Sequence, residues 1–155
     1  MKVARLLLLA ALTAALLVPA SAAAPAHVIK TRIGTAQLSP AAPGGPEGVA
    51  YLRQRGARLS GWLAVWGLAP GSAHAWHVHG PAGACTPASA NRGIIVGGQD
   101  LVANNLGVAF LRFAGLRTTT QVIGRGFYVN VHEMSTPDGV GAGITCGNII
   151  RVRIN

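Results

Sequence analysis

From residue 25 onward, the chain shows no helical periodicity of useful length. It contains short runs rich in valine and isoleucine, separated by Gly, Pro, Ser and Asn. Short strands at this spacing are typical of an all-β sandwich or barrel. The segment 39–48, SPAAPGGPEG, has the composition of a loop. The predicted strands are 27–38, 48–55, 58–67, 74–79, 94–102, 107–113, 125–132 and 144–154.

The N-terminal segment has the features of a secretory signal peptide. A basic start is followed by an apolar run over 6–18, the helix breaker Pro19 and the small residues Ala20-Ser21-Ala22. We predict a signal peptide over 1–22, with cleavage after Ala24 as the alternative, and a single domain over 23–155. An uncleaved anchor is the other interpretation, but the apolar run is shorter than the ~18 residues of a membrane span. The expected location is therefore periplasmic or extracellular, with no membrane span after cleavage.

The charge of the mature chain is strongly positive. Of the 13 Lys and Arg residues, Lys2 and Arg5 leave with the signal peptide, which gives 11 against four Asp and Glu and a net charge of +7. This charge can keep the protein soluble, hold it near an anionic envelope or steer a small anion toward a site. Nucleic acid is not an expected partner, because the basic residues form neither a run nor an aromatic-interleaved stripe.

The chain has two cysteines, Cys85 and Cys146. In an oxidising compartment we expect them to form a disulfide. Closing a loop of that length contributes about 4 kcal/mol in the chain-entropy account. Two free thiols, or a site in which cysteine and histidine bind a metal, are the alternatives.

Three of the five histidines lie in the stretch HAWHVH at 74–79. Strand alternation puts His77 and His79 on one face and His74 on the other, with Trp76 and Val78. In 125–132, alternation separates apolar Phe127, Val129 and Val131 from Tyr128, Asn130 and His132. If the apolar sets share one core, His77, His79 and His132 project from the outer wall of the barrel, under the loops that cover it. His74 then points inward, where its ring would bond to backbone.

Two histidines two residues apart on a strand, joined by one from a neighbouring strand, can bind copper or zinc. Copper(II) binds such nitrogens more tightly than zinc does. The alternative is a set of polar side chains on the solvated face of a sheet.

Four blocks resemble the Cu/Zn superoxide dismutase family and cover most of the mature domain. GLAPGSAHAWHVHG (67–80) is similar to the family's glycine turn and copper-binding strand, and QDLVANNLGVA (99–109) to its segment with an aspartate and a turn. VIGRGFYVNVHE (122–133) resembles the strand that delivers another copper histidine, and ITCGNI (144–149) the terminal cysteine-glycine strand. The resemblance implies a flattened eight-stranded Greek-key β-barrel. It also implies copper ligands His77, His79 and His132, and a disulfide between Cys85 and Cys146.

The chain departs from the family in two places. Between Cys85 and Asp100 there is no histidine, so the family's metal-bridging histidine and its zinc histidines are missing. Asp100 alone cannot provide the four ligands of a zinc site, and zinc is not expected. Gly143 stands where the family has the arginine that guides superoxide. Arg92, Arg117 and Arg125 are candidates to replace that charge.

The resemblance implies a secreted copper-only superoxide dismutase of reduced activity, with superoxide as substrate. The alternative is a non-enzymatic copper carrier, sink or delivery module that exchanges copper with a donor or acceptor protein. A third hypothesis is an interaction domain using Trp62 and Trp66. Both a monomer and a homodimer are compatible with the sequence.

Two carboxylates are candidates for orienting a ligand imidazole through its second nitrogen, Asp100 and Asp138. For each, a solvated loop residue is the competing interpretation.

Overall fold

The computed structural model describes residues 29–80, 85, 93–135 and 141–153. Within those residues the chain is all-β, with no helix, and so without a helix that could cross a membrane. The strands are β1 Thr31–Pro40, β2 Glu47–Arg55, β3 Arg58–Trp66, β4 Ala73–His74, β5 Trp76–His79, β6 Ile94–Gly97, β7 Leu101–Val102, β8 Ala109–Arg117, β9 Tyr128–His132, β10 Gly143–Asn148 and β11 Ile150–Val152.

Eight of these strands form one antiparallel sheet in the order β6-β5-β9-β10-β1-β2-β3-β8. The two ends of this order, β6 and β8, approach each other, so the sheet is a nearly closed barrel. The chain crosses over between β3 and β5 and between β8 and β9, since these successive strands are not neighbours. Strand β11 extends the pairing of β1, and β4 pairs with β7 separately. The predicted all-β barrel is confirmed.

Strand alternation fills the barrel with apolar side chains. Leu59, Leu63 and Val65 of β3 are fully buried, as expected for every second residue of a strand that faces a core. Across the barrel, the indole of Trp76 in β5 contacts the ring of Phe113 in β8, with centroids 4.8 Å apart. This contact joins β5 to β8, which lies at the far end of the sheet order.

The strands differ from the predicted runs at several boundaries. The loop expected over 39–48 is shorter, because β1 continues to Pro40 and β2 begins at Glu47. The run 74–79 is split at Ala75. The run 94–102 is also split, and there the Gln99 carbonyl accepts a 2.9 Å hydrogen bond from the Trp76 indole.

The last two predicted runs are also shorter than expected. Strand β9 begins only at Tyr128, because Gly126 has a φ of +85° that extended strands do not have. The run 144–154 is split at Ile149, whose N–H donates to the Phe127 carbonyl at 2.8 Å.

Cys85 and Cys146 form a disulfide with a Cα–Cα distance of 5.7 Å. The predicted pairing is confirmed, and the alternatives of two free thiols or a metal site using cysteine are wrong. The bond ties residue 85 to β10 of the barrel. The proposed signal peptide lies outside the described residues and stays a prediction.

Candidate metal centre

The barrel brings together three histidines that are predicted as metal ligands. His77 and His79 lie on β5, opposite Asn130 and Tyr128 of β9. His132 ends β9, and its backbone N–H donates to the Ala75 carbonyl at 2.9 Å. One ligand atom from each of the three side chains lies within 4.8 Å of the others. The group could therefore hold a metal ion.

The ring nitrogens of this group are oriented toward one another. Nδ1 of His77 lies 3.1 Å from Nε2 of His132. Nδ1 of His132 lies 3.2 Å from the Gly141 carbonyl, and only its N–H form can donate there. Nε2 of His132 therefore carries the lone pair that faces His77. Metal–nitrogen bonds of about 2.0–2.1 Å accommodate two nitrogens at this separation.

The histidines lie inside the protein rather than on a solvated face. His79 and His132 have 0% exposure, and His77 is partly buried. Burial, together with the nearby His132 and His79, lowers the pKa of His77 from 6.5 to about 4, and Asp100 opposes the effect. Burial also lowers the pKa of His132, while the Gly141 carbonyl opposes this and His79 adds to it. Because metal binding requires neutral imidazole, the group is ready for a metal at neutral pH.

Two glycines leave room for this arrangement. A Cβ on Gly97, which pairs with His77, would lie 2.5 Å from Cδ2 of the His77 ring. A Cβ on Gly143, which pairs with His132, would lie 2.7 Å from the side-chain amide atoms of Asn130. Position 143 therefore has no space for the family's arginine without a shift of Asn130.

Tyr128 is a further contact of the site that the sequence analysis does not single out. Its ring stacks on His79 with centroids 5.3 Å apart and an interplanar angle of 10°. Both residues are fully buried. The signal in the sequence was alternation, which puts Tyr128 on the same face as His132, and the pairing of β5 with β9 then places it opposite His79.

His74 lies outside the three-histidine group. Its Nδ1 donates to the His132 carbonyl at 2.8 Å, and its Nε2 lies 2.6 Å from the Ser72 hydroxyl. Both ring nitrogens of this buried side chain are thereby satisfied. His74 thus connects β4 to the residue that supplies the third imidazole.

The acidic and arginine residues that the sequence analysis proposes for the site lie in different parts of the protein. Asp100 is exposed and close enough to act on His77, so its negative charge reaches the group. Asp138 and Arg92 lie outside the described residues. Arg117 pairs with Arg58 at the end of β8, and Arg125 lies in a separate cleft. Neither arginine is among the causes of the pKa shifts of His77 and His132.

The two tryptophans of the interaction hypothesis lie on the outer face of β3. The Trp62 ring stacks on Tyr51 and contacts Phe110, with centroids 6.1 Å and 6.0 Å away. Trp62 therefore packs against side chains of the neighbouring strands β2 and β8. Trp66 is 38% exposed.

Comparison with known proteins finds no family model and no curated protein that matches this chain. The function of the site therefore has to be argued from its own residues.

Proposed function

We propose that this chain is a copper protein that disproportionates superoxide to oxygen and hydrogen peroxide. The observation that carries the proposal is the convergence of three imidazoles, of which His79 and His132 are fully buried and His77 is partly buried; His77 and His132 face each other through Nδ1 and Nε2 at 3.1 Å. His77, His79 and His132 would hold the ion.

The donor set favours copper among the divalent metals. It consists of neutral imidazole nitrogens, and no cysteine belongs to the group within the described part of the chain. Nitrogen sites of this kind bind copper(II) more tightly than zinc in the Irving–Williams order. The competing zinc site of the superoxide dismutase family would need histidines that the segment 85–100 does not contain.

Copper bound here would supply one-electron chemistry, oxidising one superoxide and reducing the next. The residues of the chain would hold and shield the ion. Burial of His79 and His132 excludes water from two ligands, and partly buried His77 lies at the more open side. The positive charge of the chain would attract an anion over the distance of about 8–10 Å that physiological salt permits.

The proposal also covers the family to which the chain belongs and the compartment in which it works. The four sequence blocks, the eight-stranded barrel and the bond between Cys85 and Cys146 support a copper-only member of the Cu/Zn superoxide dismutase family. The disulfide and the N-terminal segment over 1–22 support secretion to the periplasm or beyond.

The test is superoxide decay after pulse radiolysis, with residues 23–155 loaded with copper to a measured stoichiometry. We expect decay to accelerate in proportion to bound copper. His132→Ala should remove both copper and activity, whereas His27→Ala, which changes a histidine outside β5 and β9, should keep both. If the His132→Ala variant still accelerates superoxide decay, the assignment of His132 to the active site is wrong.

A second candidate function is copper storage or transfer without catalysis. It is favoured by Gly143, which leaves the guide position uncharged, and by Asp100, whose negative charge lies near His77. In this case copper would bind stoichiometrically while superoxide decays at the buffer rate. Transfer of the bound copper to a Cu(I) chelator would then measure how readily the site releases its ion.

A further inference from the structure

A second feature of the molecule is a cleft between β11 and the segment before β9. Its volume is about 600 Å³. The hydrogen bond from the Ile149 N–H to the Phe127 carbonyl holds the start of β11 against this segment. The residues that line the cleft are Gly124, Arg125, Gly126, Phe127, Asn148, Ile149, Ile150, Arg151 and Arg153.

The charge of this cleft has one sign. Arg125, Arg151 and Arg153 line it, and among the residues that the structure describes no Asp or Glu does. Arg151 lies in β11 and Arg153 directly follows it. All three arginines are exposed, so their like charges give the cleft a positive potential that attracts an anion.

The other lining groups fit an organic ligand. Asn148 lines the cleft, and its Oδ1 accepts from the Cys85 backbone N–H at 3.3 Å. Phe127 and Ile149 are buried and give the cleft an apolar floor. Ile150 is 67% exposed, so a bound molecule could cover it.

We propose that this cleft binds a small organic anion that carries two or more phosphate or carboxylate groups. Arginine binds both groups through paired, charge-assisted hydrogen bonds. A second copy of the chain does not fit as the occupant, because a two-fold contact through this face would bring six arginines together. The proposal is independent of the metal centre, whose histidines do not line the cleft.

The test uses pyrophosphate and citrate as probes on residues 23–155, at constant ionic strength set with sodium chloride. We expect pyrophosphate, citrate or both to bind with one-to-one stoichiometry in calorimetry and to raise the melting temperature above that in chloride alone. A difference between the two probes would identify the anionic group that the cleft prefers. If neither probe binds more tightly than chloride, the proposal is wrong.

Two double variants distinguish a specific binding site from nonspecific attraction by the positive charge of the chain. Arg125→Gln/Arg151→Gln should weaken binding of the preferred probe at least tenfold. Arg53→Gln/Arg55→Gln, which removes the same charge from β2, should leave the affinity within about twofold. Equal losses in the two variants would overturn the proposal in favour of nonspecific attraction. Melting of both variants without anion checks that they fold.

Discussion

Nδ1 of His77 and Nε2 of His132 face each other at 3.1 Å across the pair β5 and β9. In the metal-free chain the Nδ1–H of His77 donates to Nε2 of His132, and protonating that Nε2 would turn two N–H groups toward each other and leave a cation on a fully buried side chain. The geometry that suits a metal ion is therefore the same geometry that opposes protonation.

The metal-free protein should lose stability as the pH falls from 6.5 toward 4. His77 has a folded pKa of about 4 and an ordinary unfolded value of 6.5. Between these values the unfolded chain binds more protons than the folded one, so the free energy of unfolding decreases with falling pH. Below about 4 this contribution no longer changes. Urea denaturation at pH 7, 5.5 and 4.5 measures the slope.

The matched variant for this pH effect is His77→Asn, which cannot titrate. Its unfolding free energy should depend less on pH over the same interval. If His77→Asn and the parent chain show the same slope, His77 is not the source of the pH effect and the prediction is wrong.

His74→Ala should destabilise the protein without removing copper. The change leaves the buried His132 carbonyl without the hydrogen bond from Nδ1 of His74, at a cost of about 1–3 kcal/mol. The three ligand side chains stay in place, because the His132 N–H still bonds to Ala75. Chemical denaturation and copper stoichiometry together measure this; a stable variant that has lost copper would place His74 in the metal site.

Gly97→Ala should weaken copper binding about 10–100-fold, the range typical of changes that misplace a ligand. The added methyl group would lie 2.5 Å from Cδ2 of His77, so the imidazole has to move. Gly124→Ala is the control, since nothing lies within 4 Å of its Cβ position. Competition with a copper chelator gives both affinities, and equal affinities would show that His77 adapts.

Gly143→Arg should destabilise the chain by about 1–3 kcal/mol instead of restoring a guide charge. Its Cβ would lie 2.7 Å from both amide atoms of Asn130. Adding Asn130→Ala removes that overlap. The loss of unfolding free energy in the double variant should therefore be smaller than the sum of the losses in the two single variants. Additive costs in denaturant titrations would locate the strain elsewhere.

The spacing of short strands was enough to predict an all-β sandwich or barrel, and alternation within strands was enough to predict the common side of His77, His79 and His132. It could not predict that His79 and His132 are completely buried, because that depends on segments distant in the chain. The interpretation of these histidines as solvated surface residues is wrong for His79 and His132 for this reason. Alternation also predicted one strand over 74–79, whereas the structure has a break at Ala75 between β4 and β5.

Close approaches between strands leave no signal in one sequence. Gly97 is one of two adjacent glycines, and only the register with β5 places it against the His77 ring. The arginine cleft is similar, since Arg125 and Arg151 are separated by 26 positions in the chain. Neither feature has a local motif, because each is created by pairing of distant segments.

The disulfide should stabilise the barrel without being needed for the metal site. Cys85 and Cys146 are 61 residues apart, and opening that loop in Cys85→Ser/Cys146→Ser should cost about 4 kcal/mol by chain entropy. The pairing of β10 with β9 continues on both sides of Cys146, and it holds His132 independently of the bond. Guanidinium denaturation of the oxidised protein and of the serine variant measures the cost, and metal analysis measures copper. Reductant should shift the parent midpoint toward that of the variant and leave the variant unchanged. Loss of copper in a folded serine variant would mean that the loop carrying Cys85 helps to close the site.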